Sequence, residues 1–365
     1  MIKISESKKE SIVSVRKISR LFQDSHISKI KLEAPNWLVY DFFEQNTVSL
    51  LFGDSGSHKS FIALDLACCI GTGKSYHGLQ LKQSPILYLA AEGRGGIRKR
   101  IAAWELVNQI NIDNFPIYVP KQFILLDTEE GKEELFEALK YNFWPDVKEK
   151  YSLPDDRSFI IFIDTLAKSM AGDEDQTKDM NKILNVSREL QQDYNCTVIL
   201  IHHTGHSNKS RPRGAYTLIG GVDTNYRIET NNTKEITKFI PCKMKDAEEP
   251  EPIYFSKKII DLGIIDDRGR PVTSLIMTKI NSDTKLTNLN GKNKNIALVI
   301  TAMKQLNGFA KTQKELIKIY QELNQNKKSV TESSIKGYIR KSVNEGYLEV
   351  KDNGTTKSYN LLKER

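Results

Sequence analysis

Residues 50 to 60 read Leu50-Leu51-Phe52-Gly53-Asp54-Ser55-Gly56-Ser57-His58-Lys59-Ser60, an apolar run that breaks into a small-residue loop and ends in Lys-Ser. The residues before the loop have the character of a buried strand, and Phe61 to Ile70 carries apolar residues at helical spacing. A loop between a strand and a helix N-terminus can present its backbone N–H groups to a triphosphate. The stretch therefore predicts a phosphate-binding loop.

The polar side chains of this loop have expected partners. Lys59 would reach the β- and γ-phosphates of a nucleotide, and the Ser60 hydroxyl would bind Mg²⁺. His58 departs from the pattern G-x-x-x-x-G-K-[ST], because it stands where the second glycine belongs. Two interpretations stay open, a working nucleotide site or a loop that arose by chance or has lost its hydrolytic power. The predicted nucleotide-binding residues are Gly53, Asp54, Ser55, Gly56, Ser57, His58, Lys59 and Ser60.

Two later apolar runs end in acidic residues. Pro85 to Ala91 is followed by Glu92, which we expect at the tip of a strand beside the nucleotide strand, where a carboxylate can orient a water on the γ-phosphate. Phe159 to Ile163 is followed by Asp164, a Walker B type of signal. The sequence thus predicts Glu92 as catalytic base, and Ser60 and Asp164 as Mg²⁺ ligands.

A third apolar run, Cys196 to Ile201, leads into His202-His203-Thr204-Gly205-His206. A metal site is disfavoured, because adjacent histidines at a strand end point to opposite faces and no Cys or carboxylate cluster stands nearby. We expect one imidazole to sense the γ-phosphate and the other to be packed. The basic loop from Ser207 to Tyr216 is either a surface hairpin or a loop that reaches a nucleic acid or the next subunit's nucleotide.

The charge is distributed unevenly along the 365 residues. The net charge is +8, and residues 290–365 hold 15 Lys+Arg against 7 Asp+Glu, so the preceding residues balance to zero. A terminal basic module favours a polyanion partner such as nucleic acid over a merely solvated surface. The four cysteines show no metal-binding spacing, and no apolar run is long enough to span a bilayer, so the sequence predicts a cytoplasmic protein without a membrane partner.

Composition and motif order divide the chain into four parts. Residues 1–35 read as an N-terminal arm, 36–280 as an α/β ATPase domain, 281–295 as a linker and 296–365 as a small winged-helix domain. The alternation of apolar strands and helices predicts a doubly wound, mostly parallel sheet, which residues 224–280 extend with antiparallel strands. Phe123 to Leu126 is expected to form a further strand. The third winged helix would expose Lys336, Arg340 and Lys341 to duplex DNA, although many winged helices bind protein instead.

Several motifs in one order resemble the RepA-like ATPases of plasmids and phages, which are hexameric replicative helicases of the RecA-like superfamily. The resemblance covers about residues 36 to 235. It rests on GDSGSHKS at Gly53 to Ser60, on the strand ending at Glu92 and Gly93, on the block around Asp164, on ILIHHTGH at Ile199 to His206 and on RPRGAYTLIGGVD at Arg211 to Asp223.

The resemblance implies a RecA-like P-loop core with ATP and Mg²⁺ as cofactors. It gives Lys59, Glu92 and Asp164 the roles described above, and it makes one of the two histidines, which we take to be His203, a catalytic sensor of the γ-phosphate. It also implies that Arg213 is an arginine finger acting on the adjoining subunit. Hydrolysis would then depend on assembly into a homo-oligomer, a hexameric ring in this family. Three cations on loops that face a central channel would contact single-stranded DNA, namely Lys168, Lys209 and Arg211.

The favoured function is an ATP-dependent DNA motor of the helicase type. One alternative is a DNA-binding replication initiator or regulator in which ATP only switches assembly, without strand separation. Another is an adaptor with a degenerate phosphate loop, in which His58 blocks productive geometry.

Overall fold

The computed structural model describes residues 27–29, 32–91, 93–122, 124–151, 158–205, 211–214, 216–231, 235–280, 294–324, 330–344, 347–352, 354 and 356–362. The chain forms two compact units, residues 1–36 and 37–365. Within the first unit, the described residues include one 3₁₀ turn, Ile27–Lys29. Most of the predicted N-terminal arm therefore lies outside the described residues.

A nine-stranded sheet organises residues 48–279. Its strand order is β11-β10-β9-β8-β3-β7-β6-β4-β5, in which β8 to β5 run parallel and β9 to β11 are antiparallel. The predicted α/β class with a parallel sheet and an antiparallel extension is thus confirmed. The strands are β3 Val48–Gly53, β4 Ile86–Ala90, β5 Ile117–Tyr118, β6 Ile160–Asp164, β7 Thr197–His203, β8 Thr224–Thr230, β9 Ile236–Met244, β10 Ile253–Ile265 and β11 Pro271–Lys279, after a separate small sheet of β1 Trp37–Val39 and β2 Phe43–Glu44.

Helices cover both faces of this sheet, which explains why its central strands are apolar throughout. Every residue of β3, β4 and β6 is buried, as expected for parallel strands with both faces covered. One core cluster joins the sheet to α1 and α2, and a second joins its other face to α3, α4 and α5. The helices are α1 Lys59–Thr72, α2 Arg94–Asn108, α3 Glu129–Ala138, α4 Trp144–Tyr151, α5 Thr177–Tyr194 and α6 Thr217–Gly221, with a π-helical turn, Leu139–Phe143, between α3 and α4.

Two expectations about the sheet are wrong. The strand β4 that precedes Glu92 is not beside β3, because β7 and β6 lie between them and β4 pairs with β6. Residues 124–126 do not form a strand, and Phe123 lies outside the described residues. Leu126 is nevertheless buried, so its apolar character serves the second core cluster and not a strand.

Residues 294–362 form a set of short elements with its own apolar cluster. The elements follow in the order α7 Lys294–Gln305, β12 Phe309–Ala310, α8 Gln313–Leu323, α9 Glu332–Asn344, β13 Leu348–Asp352 and β14 Lys357–Leu361. The three strands pair in the order β12-β14-β13. The Thr312 hydroxyl caps α8 by accepting the Glu315 N–H at 3.2 Å. Among the helices of the described residues, none has the length and apolar character that crossing a membrane requires.

Candidate nucleotide site

The predicted phosphate loop connects β3 to α1 at the carboxyl edge of the parallel strands. A Cβ on Gly53 would lie 2.3 Å from the Ile228 carbonyl oxygen and 2.7 Å from the Ser57 hydroxyl. Gly53 therefore lets β8 approach the start of the loop, which any larger residue would prevent. Gly56 has a φ of +72°, the left-handed conformation that glycine adopts at little cost.

His58 adopts the backbone conformation of a glycine. Its φ of 69° and ψ of 19° are left-handed, which costs a non-glycine residue about 1–2 kcal/mol. Its imidazole Nδ1 lies 2.9 Å from the hydroxyl of Thr237, a buried residue of β9. The histidine thus keeps the shape of the loop and ties the loop to the antiparallel part of the sheet.

Lys59 and His203 come together beneath the loop. The Lys59 ammonium donates to the carbonyls of Gly53 and Asp54, both at 2.9 Å, and lies 3.3 Å from His203 Nδ1. Parallel pairing of β3 with β7 sets Gly53 opposite His203, which explains the contact between residues so far apart in sequence. The predicted lysine and the predicted sensor histidine therefore share one end of the sheet.

Ser60 and Asp164 also meet, although 104 residues separate them. The Ser60 hydroxyl donates to Asp164 Oδ1 at 3.1 Å, and the Tyr88 hydroxyl donates to Asp164 Oδ2 at 2.6 Å. Asp164 is buried at the end of β6, and this burial raises the pKa of its carboxyl, while the hydrogen bonds from Tyr88 and Ser60 oppose the rise. A hydroxyl and a carboxylate are the hard oxygen ligands that Mg²⁺ takes.

His202 lies on the opposite face of β7 from His203 and has a different environment. It is fully buried, and its Nε2 is 2.9 Å from the Arg213 carbonyl and 3.6 Å from Glu174 Oε2. Burial is the main cause that lowers the pKa of His202 to about 4. The expectation that the two neighbouring histidines point to opposite faces matches these contacts, and His203 is the one that contacts Lys59.

Arg213 lies on the segment that returns along the end of β7. Its N–H donates to the His203 carbonyl at 2.7 Å, and its Nε lies 2.9 Å from Glu174 Oε1. Glu92 and Lys209 lie outside the described residues, whereas Lys168 and Arg211 are exposed on the loops that follow β6 and β7. The Arg211 guanidinium stands 5.8 Å from the ring centre of Tyr216, whose side chain is 73% exposed.

The residues present fit a nucleotide triphosphate with Mg²⁺. Besides the Ser60 and Asp164 oxygens, two buried hydroxyls at this edge, those of Ser57 and Thr165, have no hydrogen-bond partner among the described residues. Buried polar groups of this kind normally have partners. The carboxyl edge of a doubly wound sheet is also where ligands bind. Lys59, the loop N–H groups, Ser60 and Asp164 are the residues that would hold the group.

Fold and site together define a P-loop nucleotide-binding protein of the α/β class. The family model described as AAA domain (AAA_25) matches residues 16–209, more than half of the chain. The chain belongs to this family, which is one of RecA-like P-loop ATPases.

Solved structures resemble the chain only distantly. The RadB recombinase is 14% identical with a TM-score of 0.41, over 65% of this chain and 92% of that chain. A KaiC-like protein from the hyperthermophilic archaeon Pyrococcus horikoshii OT3 is 13% identical with a TM-score of 0.41, over 66% of this chain and 94% of that chain. No curated protein matches the sequence. The assignment therefore rests on the family match.

Four residues at this edge were not predicted as site residues. Tyr88 is the one hydroxyl in the apolar run of β4, which was the only sequence signal for its contact with Asp164. Thr237 and Glu174 gave no signal, because their partners lie far away in sequence. Tyr216 ends a basic loop, and an aromatic residue among cations is a known mark of nucleic-acid contact.

Proposed function

We propose that this chain is an ATP-dependent DNA motor of the RepA-like helicase type, which hydrolyses ATP as a homo-oligomer, a hexameric ring in this reading. The observation that carries the proposal is the 3.1 Å contact between Ser60 and Asp164 below the phosphate loop. It brings the P-loop and the Walker B type acid to one point, as hydrolysis of a Mg²⁺-bound nucleotide requires.

Each residue of the site has one task in this proposal. Lys59 binds the β- and γ-phosphates, and Ser60 and Asp164 hold Mg²⁺, which supplies positive charge against the phosphates when bound. Glu92 accepts the proton of a water that attacks the γ-phosphorus, while the bond from that phosphorus to the β–γ bridging oxygen breaks to give ADP and phosphate. Arg213 stabilises the charge that develops on the nucleotide of a neighbouring copy.

The geometry of His58 argues against the degenerate adaptor. Its left-handed backbone is a conformation that glycine adopts at little cost, and its imidazole contacts Thr237 in β9. The ordinary shape of a phosphate loop is therefore compatible with this histidine. We expect nucleotide binding to be retained.

Single-stranded DNA is the proposed track. Lys168 and Arg211 expose cations on neighbouring loops at the carboxyl edge, and Tyr216 exposes an aromatic ring beside Arg211. Cations that follow the backbone and rings on which bases stack are the two components of single-strand binding, and stacking contributes about 1–3 kcal/mol per base.

The experiment is steady-state ATP hydrolysis with and without single-stranded DNA, with Lys59→Ala as the blank. We expect stimulation by the strand, and we expect Tyr216→Ala to raise the DNA concentration for half-maximal stimulation by about 5-fold or more. Tyr141→Ala is the matched control, because Tyr141 is also exposed and has the Lys140 ammonium 4.8 Å from its ring centre. Turnover retained in Lys59→Ala would disprove the site, and DNA-indifferent turnover would disprove the motor.

The C-terminal elements favour a second candidate, an ATP-switched DNA-binding initiator or regulator. Helix α9 buries Ile335 and Ile339 and exposes Lys336, Arg340 and Lys341, and a β-hairpin follows it. A basic helix followed by a hairpin suits the winged-helix mode of duplex binding, which makes duplex DNA a proposed partner. Tight duplex binding without separation of a forked duplex would favour this candidate over the motor.

A further inference from the structure

Glu174 connects the two loops that follow β6 and β7. Its Oε1 lies 2.9 Å from Arg213 Nε, and its side chain is 14% exposed against 37% for Arg213. The contact uses the inner edge of the guanidinium. Within the described part of the chain, the two terminal amino groups of Arg213 make no hydrogen bond.

The backbone around Arg213 is fixed as well. Its N–H is bonded to the His203 carbonyl at 2.7 Å, and its own carbonyl lies 2.9 Å from His202 Nε2. Gly214, with a φ of +94°, packs so closely that a Cβ there would lie 2.3 Å from the Glu174 carbonyl oxygen. Both the main chain and the base of the side chain of Arg213 are therefore held from inside this copy.

We infer that Glu174 is a positioning residue for Arg213. Its carboxylate binds the guanidinium through Nε and leaves the two terminal amino groups for a phosphate of a second copy's nucleotide. Arginine can do this because its planar fork presents donors on separate edges, and paired N–H groups are suited to a phosphate. The inference rests on the proposed function, in which Arg213 acts on a neighbouring copy.

The opposite role for Glu174, keeping Arg213 away from other partners, fits the geometry less well. A carboxylate that withholds an arginine is expected to pair with the terminal amino groups, which are the ones a phosphate needs. Here the shortest contact is to Nε. The two roles also predict opposite effects of removing the carboxylate. Turnover should fall if Glu174 positions Arg213, and it should rise if Glu174 withholds Arg213.

The test measures ATP turnover of the full chain as a function of protein concentration. We expect Glu174→Ala to lower the kcat that is reached at high protein concentration by about 10-fold to 100-fold. The KM for ATP should stay unchanged within about 2-fold, as expected when a catalytic group is misplaced. Glu174→Gln should retain most turnover, because the amide keeps an oxygen of the same side-chain shape next to Nε. The double variant Glu174→Ala/Arg213→Ala should be no slower than Arg213→Ala, since the two residues act as one unit.

Two further variants separate positioning from general damage. Glu229→Ala removes an ion pair between the same atom types at the same distance, Arg227 Nε to Glu229 Oε1 at 2.9 Å, and should leave turnover unchanged. Arg213→Lys keeps Glu174 and the fold, and it should be as slow as Arg213→Ala. The reason is that the single ammonium group of lysine cannot bind Glu174 and a phosphate at the same time, whereas the guanidinium has donors on separate edges. This variant replaces Glu174→Ala as the test if Glu174→Ala does not fold.

The outcomes distinguish this inference from the proposed function. Two results would overturn the positioning role alone. One is a turnover of Glu174→Ala that is unchanged or faster. The other is a double variant that is slower than Arg213→Ala by the same factor by which Glu174→Ala slows the unsubstituted chain. Full concentration-dependent turnover of Arg213→Ala overturns both the positioning role and the proposed function, because Arg213 would then have no task for Glu174 to support.

Discussion

His202 makes the free energy of unfolding depend on pH in a window that the structure defines. The imidazole is fully buried at the end of β7, and its pKa is about 4 against an ordinary 6.5. Burial is the largest cause, the bond to the Arg213 carbonyl opposes it, and the nearby His203, Lys59 and Arg213 lower the pKa further. Glu174 also faces the ring at 3.6 Å. At neutral pH the ring is uncharged and donates its Nε2–H to the carbonyl.

The sign follows from proton binding. Between pH 6.5 and 4 the unfolded chain holds a proton on this residue and the folded chain does not, so the unfolded state binds more protons and stability rises with pH. Each pKa unit is worth about 1.4 kcal/mol. Acidification from pH 7 to pH 4 therefore costs about 3 kcal/mol of unfolding free energy through His202 alone.

His202→Gln is the perturbation that isolates this group. The glutamine amide can donate to the Arg213 carbonyl in place of Nε2–H and does not titrate. We expect urea unfolding of the two proteins to give a difference in free energy that is constant above pH 7 and shifts by about 3 kcal/mol in favour of the variant by pH 4. The difference cancels the titration of the other acids and bases. A constant difference over the whole range would refute the account of His202 as a buried neutral imidazole.

Two further predictions concern the phosphate loop and its acid. Tyr88→Phe removes the hydrogen bond to Asp164, which is worth about 1.5–3 kcal/mol for a charged acceptor, and should raise the Mg²⁺ concentration for half-maximal turnover by about 10-fold or more. Tyr118→Phe removes a similar bond, to Asp146 at 2.5 Å, and should leave the Mg²⁺ dependence unchanged; equal shifts in both variants would contradict the Tyr88 prediction. His58→Gly relieves a left-handed cost of about 1–2 kcal/mol and loses one hydrogen bond worth about 0.5–1.5 kcal/mol, so the free energy of unfolding should change by no more than about 1.5 kcal/mol and turnover by less than about 3-fold. A large loss of turnover in His58→Gly would show a chemical role for the imidazole.

The sequence was sufficient for features that are local in the chain. The run before Gly53 and the run before Asp164 are apolar at every position, as strands covered on both faces must be, and both are wholly buried strands. Helix α5, Thr177–Tyr194, buries one face, and the apolar residues of that face recur at helical spacing in the sequence. The loop of small residues between β3 and α1 could also be predicted from the sequence.

The sequence was insufficient for features that depend on strand order. Nothing in the run before Glu92 says that β7 and β6 separate it from β3, because each parallel strand carries the same apolar pattern. The partners of Tyr88 and His58 lie 76 and 179 residues away, and only the pairing of strands brings them close. Side chains that act through such contacts can be identified only once the fold is known.

The end of β7 explains how the two halves of the proposed mechanism would communicate. His203 contacts the Lys59 ammonium with its ring and the Arg213 N–H with its carbonyl, so one residue touches both the phosphate loop and the arginine segment. His202, on the other face of the strand, holds the carbonyl of the same arginine. If nucleotide binding changes the partners of Lys59, the shortest path to Arg213 runs through a single residue. In the proposed function, an arginine that serves a neighbouring copy would then respond to the nucleotide of its own copy.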